Sequence, residues 1–185
     1  MRICIFCGAS SSLDPQVEIE IKKVMKHFHE HEIELVYGGA AIGVMGSLAN
    51  NLISLGGKVT GVIPQRLMKK EVAHAALNEL HVVKDMHERK QMMYELSDAF
   101  LIFPGGMGTL DELFEILTWK QLGMHAKPIA ILNINNYYQS LQTFLDHAVS
   151  MKLVNPDHRN YAFFSSEWEK IWDYFLTYET WKHKK

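Results

Sequence analysis

Short apolar runs alternate along the chain with longer segments in which apolar residues recur at helical spacing. The short runs are rich in β-branched and aromatic residues. Several are apolar at consecutive positions, as expected for strands covered by helices on both faces. They predict strands at residues 3–7, 33–37, 58–63, 80–83, 99–103, 128–133 and 161–164.

Helices are predicted between and after these strands. Asp14 followed by Pro15 is a typical helix start, and apolar residues then recur at positions 17, 21, 24, 25 and 28. Further helices are predicted at residues 44–55, 86–96, 110–122, 137–151 and 167–178. The alternation implies βαβ units, so the predicted fold class is α/β. We expect a single doubly wound domain over residues 1–185, with a mainly parallel sheet of about seven strands and helices on both faces.

Such sheets bind ligands outside the carboxyl ends of their strands, where the chain direction in the sheet switches. Three predicted strands end in glycine-rich or small polar segments, namely GASSS, GGAAIGVMG and PGGMGT. Because these ends lie along one edge of the sheet, they predict a common ligand site. The candidate substrate- or phosphate-binding residues in the first two segments are Gly8, Ser10, Gly38, Gly39 and Gly43.

The PGGMGT segment is the best candidate for an anion site. Gly105, Gly106 and Gly108 have no Cβ to block the approach of an anion to the backbone N–H groups. The helix predicted from about Leu110 adds the positive end of its dipole, and Thr109 offers a hydroxyl. The alternative is a tight turn between strand and helix, for which one glycine usually suffices.

The other segments are less specific. GGAAIGVMG is not the GxGxxG of dinucleotide sites, and Val36 and Tyr37 stand where an NAD site needs an acid, so NAD is not predicted. DMHERK places Arg89 and Lys90 just after a strand, where Arg suits bidentate phosphate contact, although such charges also form solvated helix faces.

Glu112 has two interpretations. With Thr109 as the N-cap, Glu112 is the fourth residue of a T-x-x-E capping box, which stabilises a helix by roughly 1 kcal/mol. In the other interpretation Glu112 is a carboxylate that acts on a ligand beside the glycine segment. One carboxylate cannot fully serve both roles at once.

Composition narrows the class of protein. The 19 Lys and Arg residues nearly balance 21 Asp and Glu, which argues against a nucleic-acid binder that relies on bulk electrostatics. No apolar run approaches the roughly 20 residues of a membrane span, and the N-terminus lacks the longer core of a signal peptide. We therefore expect a soluble cytoplasmic protein. Cys4 and Cys7 should point to opposite faces of a strand, so a redox pair is not predicted.

Three motifs together resemble a known family. GGAAIGVMG resembles GGG-x-x-G-[LV]-MG, DMHERK resembles MHxRK, and PGGMGTLDE resembles PGGxGTxxE. These are motifs of the LOG-type cytokinin riboside 5′-monophosphate phosphoribohydrolases, formerly mislabelled as lysine decarboxylases. The similarity extends from Met1 to about residue 180. Two departures are Ala40, where the family has a third glycine, and Asp111, where it has Glu more often.

The resemblance implies a Rossmann-like fold, a homodimer with sites near its interface, and hydrolysis of the N-glycosidic bond of adenosine-type nucleoside monophosphates. It implies no metal and no other cofactor. The family's catalytic Arg and Glu match Arg89 and Glu112. Its substrate-binding residues match Glu71, Lys90, Gly105, Gly106, Met107, Gly108, Thr109, Asp111 and Thr118.

Other functions stay open from the sequence. The same fold serves non-catalytic modules that bind nucleotides or molybdenum cofactor, and these would not need both Arg89 and Glu112. A nucleosidase for AMP or pyrimidine monophosphates is a further alternative. The preferred base is not predicted, although the candidates for an apolar base pocket are Met45, Met86, Met92, Met93 and Trp119.

Overall fold

A computed structural model describes residues 1–10, 14–68 and 73–178 of the chain. In this part of the chain, parallel strands form one sheet in the order β4-β3-β2-β1-β5-β6-β7. The strands are β1 (Arg2–Phe6), β2 (Glu34–Tyr37), β3 (Val59–Pro64), β4 (Glu79–Val83), β5 (Ala99–Ile102), β6 (Ile129–Leu132) and β7 (Ala162–Ser165). The predicted α/β class and its parallel sheet are therefore confirmed.

Helices connect the strands and cover both faces of the sheet. They are α1 (Pro15–Glu30), α2 (Gly43–Ser54), α3 (Met86–Glu95), α4 (Met107–Gln121), α5 (Gln139–Ser150), α6 (Pro156–Arg159) and α7 (Trp168–Thr177). As predicted, Asp14 caps α1: its carboxylate accepts a hydrogen bond from the Gln16 N–H at 2.7 Å. None of the helices in the described ranges is long and apolar enough to cross a membrane.

The predicted boundaries differ from the structure mainly at two helices. Every described strand lies within one residue of its predicted ends, and most of these runs are apolar on both faces, which leaves little choice of register. Helix α4 begins at Met107, three residues before the predicted start. The short α6 was not predicted, although Asn155 caps it and Pro156 begins it.

Alternation along the strands separates two apolar cores. Ile3 and Ile5 of β1 pack in the core that α1, α2 and α7 cover, whereas Cys4 and Phe6 pack in the core that α3 and α4 cover. Cys4 and Cys7 are accordingly buried in different cores, as predicted. Both faces of the sheet are therefore closed, and its carboxyl edge is left for a ligand.

The chain direction switches at β1. From β1 the chain continues to β2, β3 and β4 on one side, and it then crosses to β5, β6 and β7 on the other. The segments that follow β1 and β5 nevertheless stay in contact, since the Gly8 N–H donates a hydrogen bond to the Pro104 carbonyl at 3.1 Å. The predicted ligand site at this edge thus has a backbone framework from two neighbouring strands.

Candidate active site

A cavity of about 280 Å³ opens at the carboxyl edge, between the strand ends and the first turns of α3 and α4. All three predicted segments contribute to its wall. The predicted residues that line it are Gly8, Gly38, Arg89, Gly106, Gly108, Thr109, Asp111 and Glu112. A second cavity of about 640 Å³ adjoins the first through Gly8, Ala9 and Gly106, and its wall includes the predicted Ser10 and Gly105.

The start of α4 decides between the two interpretations of Glu112. The N-cap is Gly106, so Thr109 is the third residue of the helix and Glu112 is the sixth. A capping box needs its Ser or Thr at the N-cap and its acid at the third helical position. The capping-box interpretation is therefore wrong, and the Glu112 side chain points from the second turn of α4 into the cavity wall.

The first turn of α4 is open to the cavity. Gly106 offers no side-chain acceptor to the free N–H groups, and the first bond of the helix runs from the Leu110 N–H to the Gly106 carbonyl at 3.1 Å. A Cβ added at Gly106 or Gly108 would have no neighbour within 4 Å. Uncapped N–H groups that face empty space are suited to bind an anion, since the helix dipole adds to their attraction.

Gly105 has a different role from the two glycines that follow it. A Cβ at this position would overlap the Thr109 hydroxyl and would lie 2.8 Å from the Gly8 nitrogen. Glycine is therefore required here for close packing between the segments after β1 and β5. Thr109 is 3% exposed, so its hydroxyl belongs as much to this packing as to the cavity wall.

Arg89 is buried, with only 6% of its surface exposed, and hydrogen bonds to the backbone hold its side chain in place. It lies in the first turn of α3, which Asp85 caps by accepting hydrogen bonds from the His87 and Glu88 N–H groups of that turn. The Arg89 Nε donates to the Val62 carbonyl and its Nη2 to the Gly38 carbonyl, each at 3.1 Å. A Cβ at residue 38 would overlap the guanidinium, so Gly38 is the residue that makes room for Arg89.

Glu112 is buried beside this cation. Burial raises the pKa of its carboxyl from 4.5 to about 7, and the nearby Arg89 limits the rise. No ion pair within 4.0 Å joins the two described side chains, although both line the same cavity. Glu112 is therefore able to gain or lose a proton near neutral pH, as an acid or base in catalysis needs.

Lys90 neutralises the acids next to the cavity. Its Nζ lies 3.1 Å from an oxygen of Asp111 and 3.0 Å from one of Glu115. Partial burial opposes the charge on Lys90, but its hydrogen bonds to Glu115 and Asp111 outweigh burial and raise its pKa. Lys90 thus lies beside the cavity rather than in its wall, and it leaves Glu112 without a direct cationic partner among the described residues.

Other predicted residues have backbone or surface positions. Gly39 and Gly43 have positive φ angles, of 76° and 61°, which favour glycine. Met107 is 86% exposed. Thr118 lies on the exposed side of α4, where its hydroxyl donates to the Phe114 carbonyl at 2.7 Å. Glu71 lies outside the described residues.

Several residues of the two cavities were not predicted from the sequence. Cys7, Ala9 and Leu67 line the smaller cavity, and burial together with the Glu112 charge raises the pKa of Cys7, so it remains a thiol. Tyr137 lines the larger one. Of the apolar candidates, Met45, Met86 and Met93 are in the wall of the smaller cavity, whereas Met92 and Trp119 are not.

The sequence of this chain is similar to a family model and to several known enzymes. A family model described as "Possible lysine decarboxylase" matches residues 45–175. The cytokinin riboside 5′-monophosphate phosphoribohydrolase LOG7 of Arabidopsis thaliana is 44% identical over 84% of this chain and 71% of its own length. The enzyme of the same name from Rhodococcoides fascians is 43% identical, over 85% of this chain and 80% of its own. The chain belongs to the LOG family.

Solved structures share the fold of this LOG family member. A molybdenum cofactor binding protein from Rippkaea orientalis aligns with a TM-score of 0.70 over 95% of both chains. A carrier protein for the same cofactor from Chlamydomonas reinhardtii aligns with a TM-score of 0.68, over 95% of this chain and 96% of its own. Their sequence identities are 18% and 17%, so this likeness concerns the fold alone.

The description of the family model suggests decarboxylase chemistry, which needs a lysine to bind pyridoxal phosphate as a Schiff base. The described wall of the smaller cavity contains no lysine, and the neighbouring Lys90 is bound to two carboxylates. The LOG family site of this chain therefore does not fit that cofactor.

Proposed function

We propose that this protein is a phosphoribohydrolase. It cleaves the N-glycosidic bond of adenosine-type nucleoside 5′-monophosphates, including those of cytokinin ribosides, to the free base and ribose 5-phosphate. The observation that carries this proposal is one small cavity that combines the open start of α4 with the buried pair Arg89 and Glu112. The names of the relatives that are 43–44% identical support the same reaction.

The start of α4 would hold the 5′-phosphate. The N–H groups of the first turn and the positive end of the dipole offer charge-assisted hydrogen bonds to an anion. The absence of side chains at Gly106 and Gly108 lets a phosphate approach the backbone directly. Because the phosphate does not react, this binding energy fixes the ribose relative to Glu112.

Glu112 would act on the ribose and on water. Departure of the base leaves an oxocarbenium-like sugar, whose positive charge an ionised carboxylate stabilises. Water then adds its oxygen to the anomeric carbon, and Glu112 accepts one proton of the water. That proton passes on to the base nitrogen, so the base is released neutral and Glu112 is ionised again. With a pKa of about 7, Glu112 is sufficiently ionised at neutral pH to serve as this base.

Arg89 would stabilise negative charge on the leaving base. Its three contacts with described residues, to Val62, Gly38 and Met86, use three of the five N–H donors of a guanidinium. Two donors remain for a ligand in the cavity. The carbonyls that hold Arg89 also keep its guanidinium apart from the Glu112 carboxylate.

Purified protein should release adenine and ribose 5-phosphate in equal amounts from AMP. Isopentenyl-AMP, uridine 5′-monophosphate and adenosine are assayed beside it, with the free base followed by chromatography. Adenosine should react far more slowly, since it lacks the phosphate that the start of α4 would bind. Binding of AMP without release of base from any of these compounds would instead identify a non-catalytic nucleotide-binding module.

We also propose a homodimer with its sites near the interface. The outer side of α4 exposes Met107 and Phe114, and the C-cap residue Leu122 at its end is 66% exposed. Thr118, a substrate contact implied by the family resemblance, lies on the same side and not in the cavity of its own chain. A second copy packed against this stripe would cover the apolar residues and bring Thr118 near a subunit boundary.

A further inference from the structure

Two consecutive tyrosines bind the segment that follows β5. The Tyr137 hydroxyl donates a hydrogen bond to the Gly105 carbonyl at 2.8 Å, and the Tyr138 hydroxyl donates one to the Phe103 carbonyl at 2.8 Å. Their rings pack edge to face, with centroids 4.8 Å apart. Neither tyrosine is part of the three family motifs, and both come from the connection after β6.

The backbone of the connection that carries these tyrosines is held in one conformation, and two of its residues have positive φ angles. Asn135 and Asn136 have φ angles of 50° and 58°, a region that costs about 1 kcal/mol for a residue other than glycine. The buried Asn133 side chain accepts a hydrogen bond from the Tyr138 N–H at 2.7 Å, and the Asn135 amide donates to Asp14 at 3.3 Å. These bonds fix where the two hydroxyls lie.

The contact of Tyr137 has a consequence for the next amide. The C=O and N–H of a trans peptide point in opposite directions, and the described chain contains no cis peptide. With the Gly105 carbonyl held towards Tyr137, the Gly106 N–H points away from it. Gly106 lines the smaller cavity, and within the described residues its N–H has no hydrogen-bond partner.

We infer that Tyr137 is a positioning residue for phosphate binding, which holds the Gly105–Gly106 peptide so that the Gly106 N–H points at the 5′-phosphate. The inference rests on the proposed function, since it assumes that a phosphate occupies the start of α4. Tyr137 itself makes no contact with the substrate in this assignment. It acts through one peptide group.

Tyr138 provides a matched control. Its hydroxyl donates to the Phe103 carbonyl and has a backbone hydrogen bond with Gly105, but it does not hold the Gly105–Gly106 peptide, and the peptide after Phe103 leads to Pro104, which has no N–H to offer a ligand. Tyr137→Phe and Tyr138→Phe therefore remove the same atom and the same kind of hydrogen bond, from neighbouring residues. Only the first change frees a peptide whose N–H faces the cavity.

The test measures kcat and KM for AMP and the dissociation constant for ribose 5-phosphate, which is not hydrolysed. Tyr137→Phe should raise both KM and this dissociation constant about tenfold, as for loss of one hydrogen bond to a charged group, with kcat within about twofold of wild type. Tyr138→Phe should lower the melting temperature and leave both constants unchanged. The free enzyme's melting temperature should change less for Tyr137→Phe, because Tyr137 is the more exposed tyrosine.

Unchanged affinity of Tyr137→Phe for ribose 5-phosphate would overturn the inference, and so would an equal loss of affinity in Tyr138→Phe. A merely structural Tyr137 would lower the melting temperature and kcat without this selective loss. If the wild-type protein releases no base but binds ribose 5-phosphate, the proposed function fails while the role of Tyr137 is still tested by binding. Failure of the wild-type protein to bind ribose 5-phosphate contradicts both.

Discussion

Glu112 and Arg89 line one small cavity, but the structure does not join them as an ion pair. The Val62 and Gly38 carbonyls accept hydrogen bonds from the Arg89 guanidinium, whereas burial raises the pKa of the Glu112 carboxyl to about 7. A carboxyl held in this way is costly for folding above neutral pH and useful for proton transfer near it. Both consequences are measurable with one substitution.

The first prediction concerns turnover. Glu112→Gln should lower kcat for AMP by about 10²–10⁴-fold, the usual contribution of a positioned acid or base, while ribose 5-phosphate still binds. Glu115→Gln is the matched control, since Glu115 lies one turn further along α4, is bound to Lys90 and is not in the cavity wall. Release of adenine by Glu112→Gln at the wild-type rate would remove Glu112 from the mechanism.

The second prediction concerns stability against pH. The pKa of Glu112 is higher in the folded state, at about 7, than its ordinary value of 4.5, so the unfolded chain releases this proton more readily. The contribution of Glu112 is therefore favourable below pH 4.5 and is lost as the pH rises to 7. Glu112→Gln should unfold like the wild type at pH 4.5 and be more stable at pH 8, by about 3 kcal/mol.

Urea unfolding at the two pH values measures this difference. Glu115→Gln should show no such gain at high pH, because the Glu115 carboxylate lies 3.0 Å from the Lys90 Nζ and forms an ion pair with it. An equal free energy of unfolding for Glu112→Gln and wild type at pH 8 would mean that Glu112 is ionised without cost. The raised pKa would then be wrong.

At the scale of elements, the sequence predicts the strands well but does not predict where α4 begins. The strands are predictable because their apolar runs leave one arrangement between two layers of helices. The start of α4 is not, since Gly106 and Gly108 have a low helix propensity and suggest a turn. The helix nevertheless begins at Met107, with Gly106 as its N-cap, and its free N–H groups face a cavity that local patterns of residues do not reveal.

A third prediction concerns the first turn of α4. Gly108→Ala should keep or slightly raise the melting temperature, since a Cβ there has no neighbour within 4 Å and alanine favours a helix by about 1 kcal/mol over glycine. It should weaken binding of ribose 5-phosphate at least about tenfold, because the Cβ takes the space of the phosphate. Calorimetry and thermal unfolding of the same sample measure both.

Met107→Ala is the control for the third prediction. Met107 is 86% exposed and belongs to the same turn, and its backbone N–H survives the change to alanine. The affinity of the Met107→Ala variant for ribose 5-phosphate should equal that of the wild type. Unaltered affinity in Gly108→Ala would mean that the glycines of this segment serve the turn alone, as the simpler interpretation of the sequence has it.

At the scale of the whole molecule, the site follows from the order of the strands. The alternation of strands and helices predicts a switch in chain direction, and the Gly8–Pro104 bond shows the two segments meeting there. The connection after β6 was predicted as the start of a helix at Tyr137, whereas α5 begins at Gln139. The contact of Tyr137 with Gly105 joins residues 32 positions apart, and no local pattern encodes such a pairing.

The fourth prediction concerns assembly. Leu122→Glu at the end of α4 should convert the proposed dimer into monomers, because a charge cannot be buried there without a partner. Phe144→Glu on α5 is the control, with a side chain 60% exposed against 66% for Leu122. Sedimentation velocity distinguishes the two. A monomeric wild-type protein, or equal dissociation of both variants, would place the interface elsewhere.

The contact between Gly38 and Arg89 also affects the order in which substitutions at these two positions are tolerated. A side chain at residue 38 overlaps the guanidinium, so alanine there displaces Arg89 from its place unless the arginine has already been lost. The two substitutions are therefore acceptable in one temporal order and harmful in the other. In a lineage that abandons hydrolysis, the arginine is the first of the pair to be replaced, and a larger residue at position 38 becomes a lasting record of that loss.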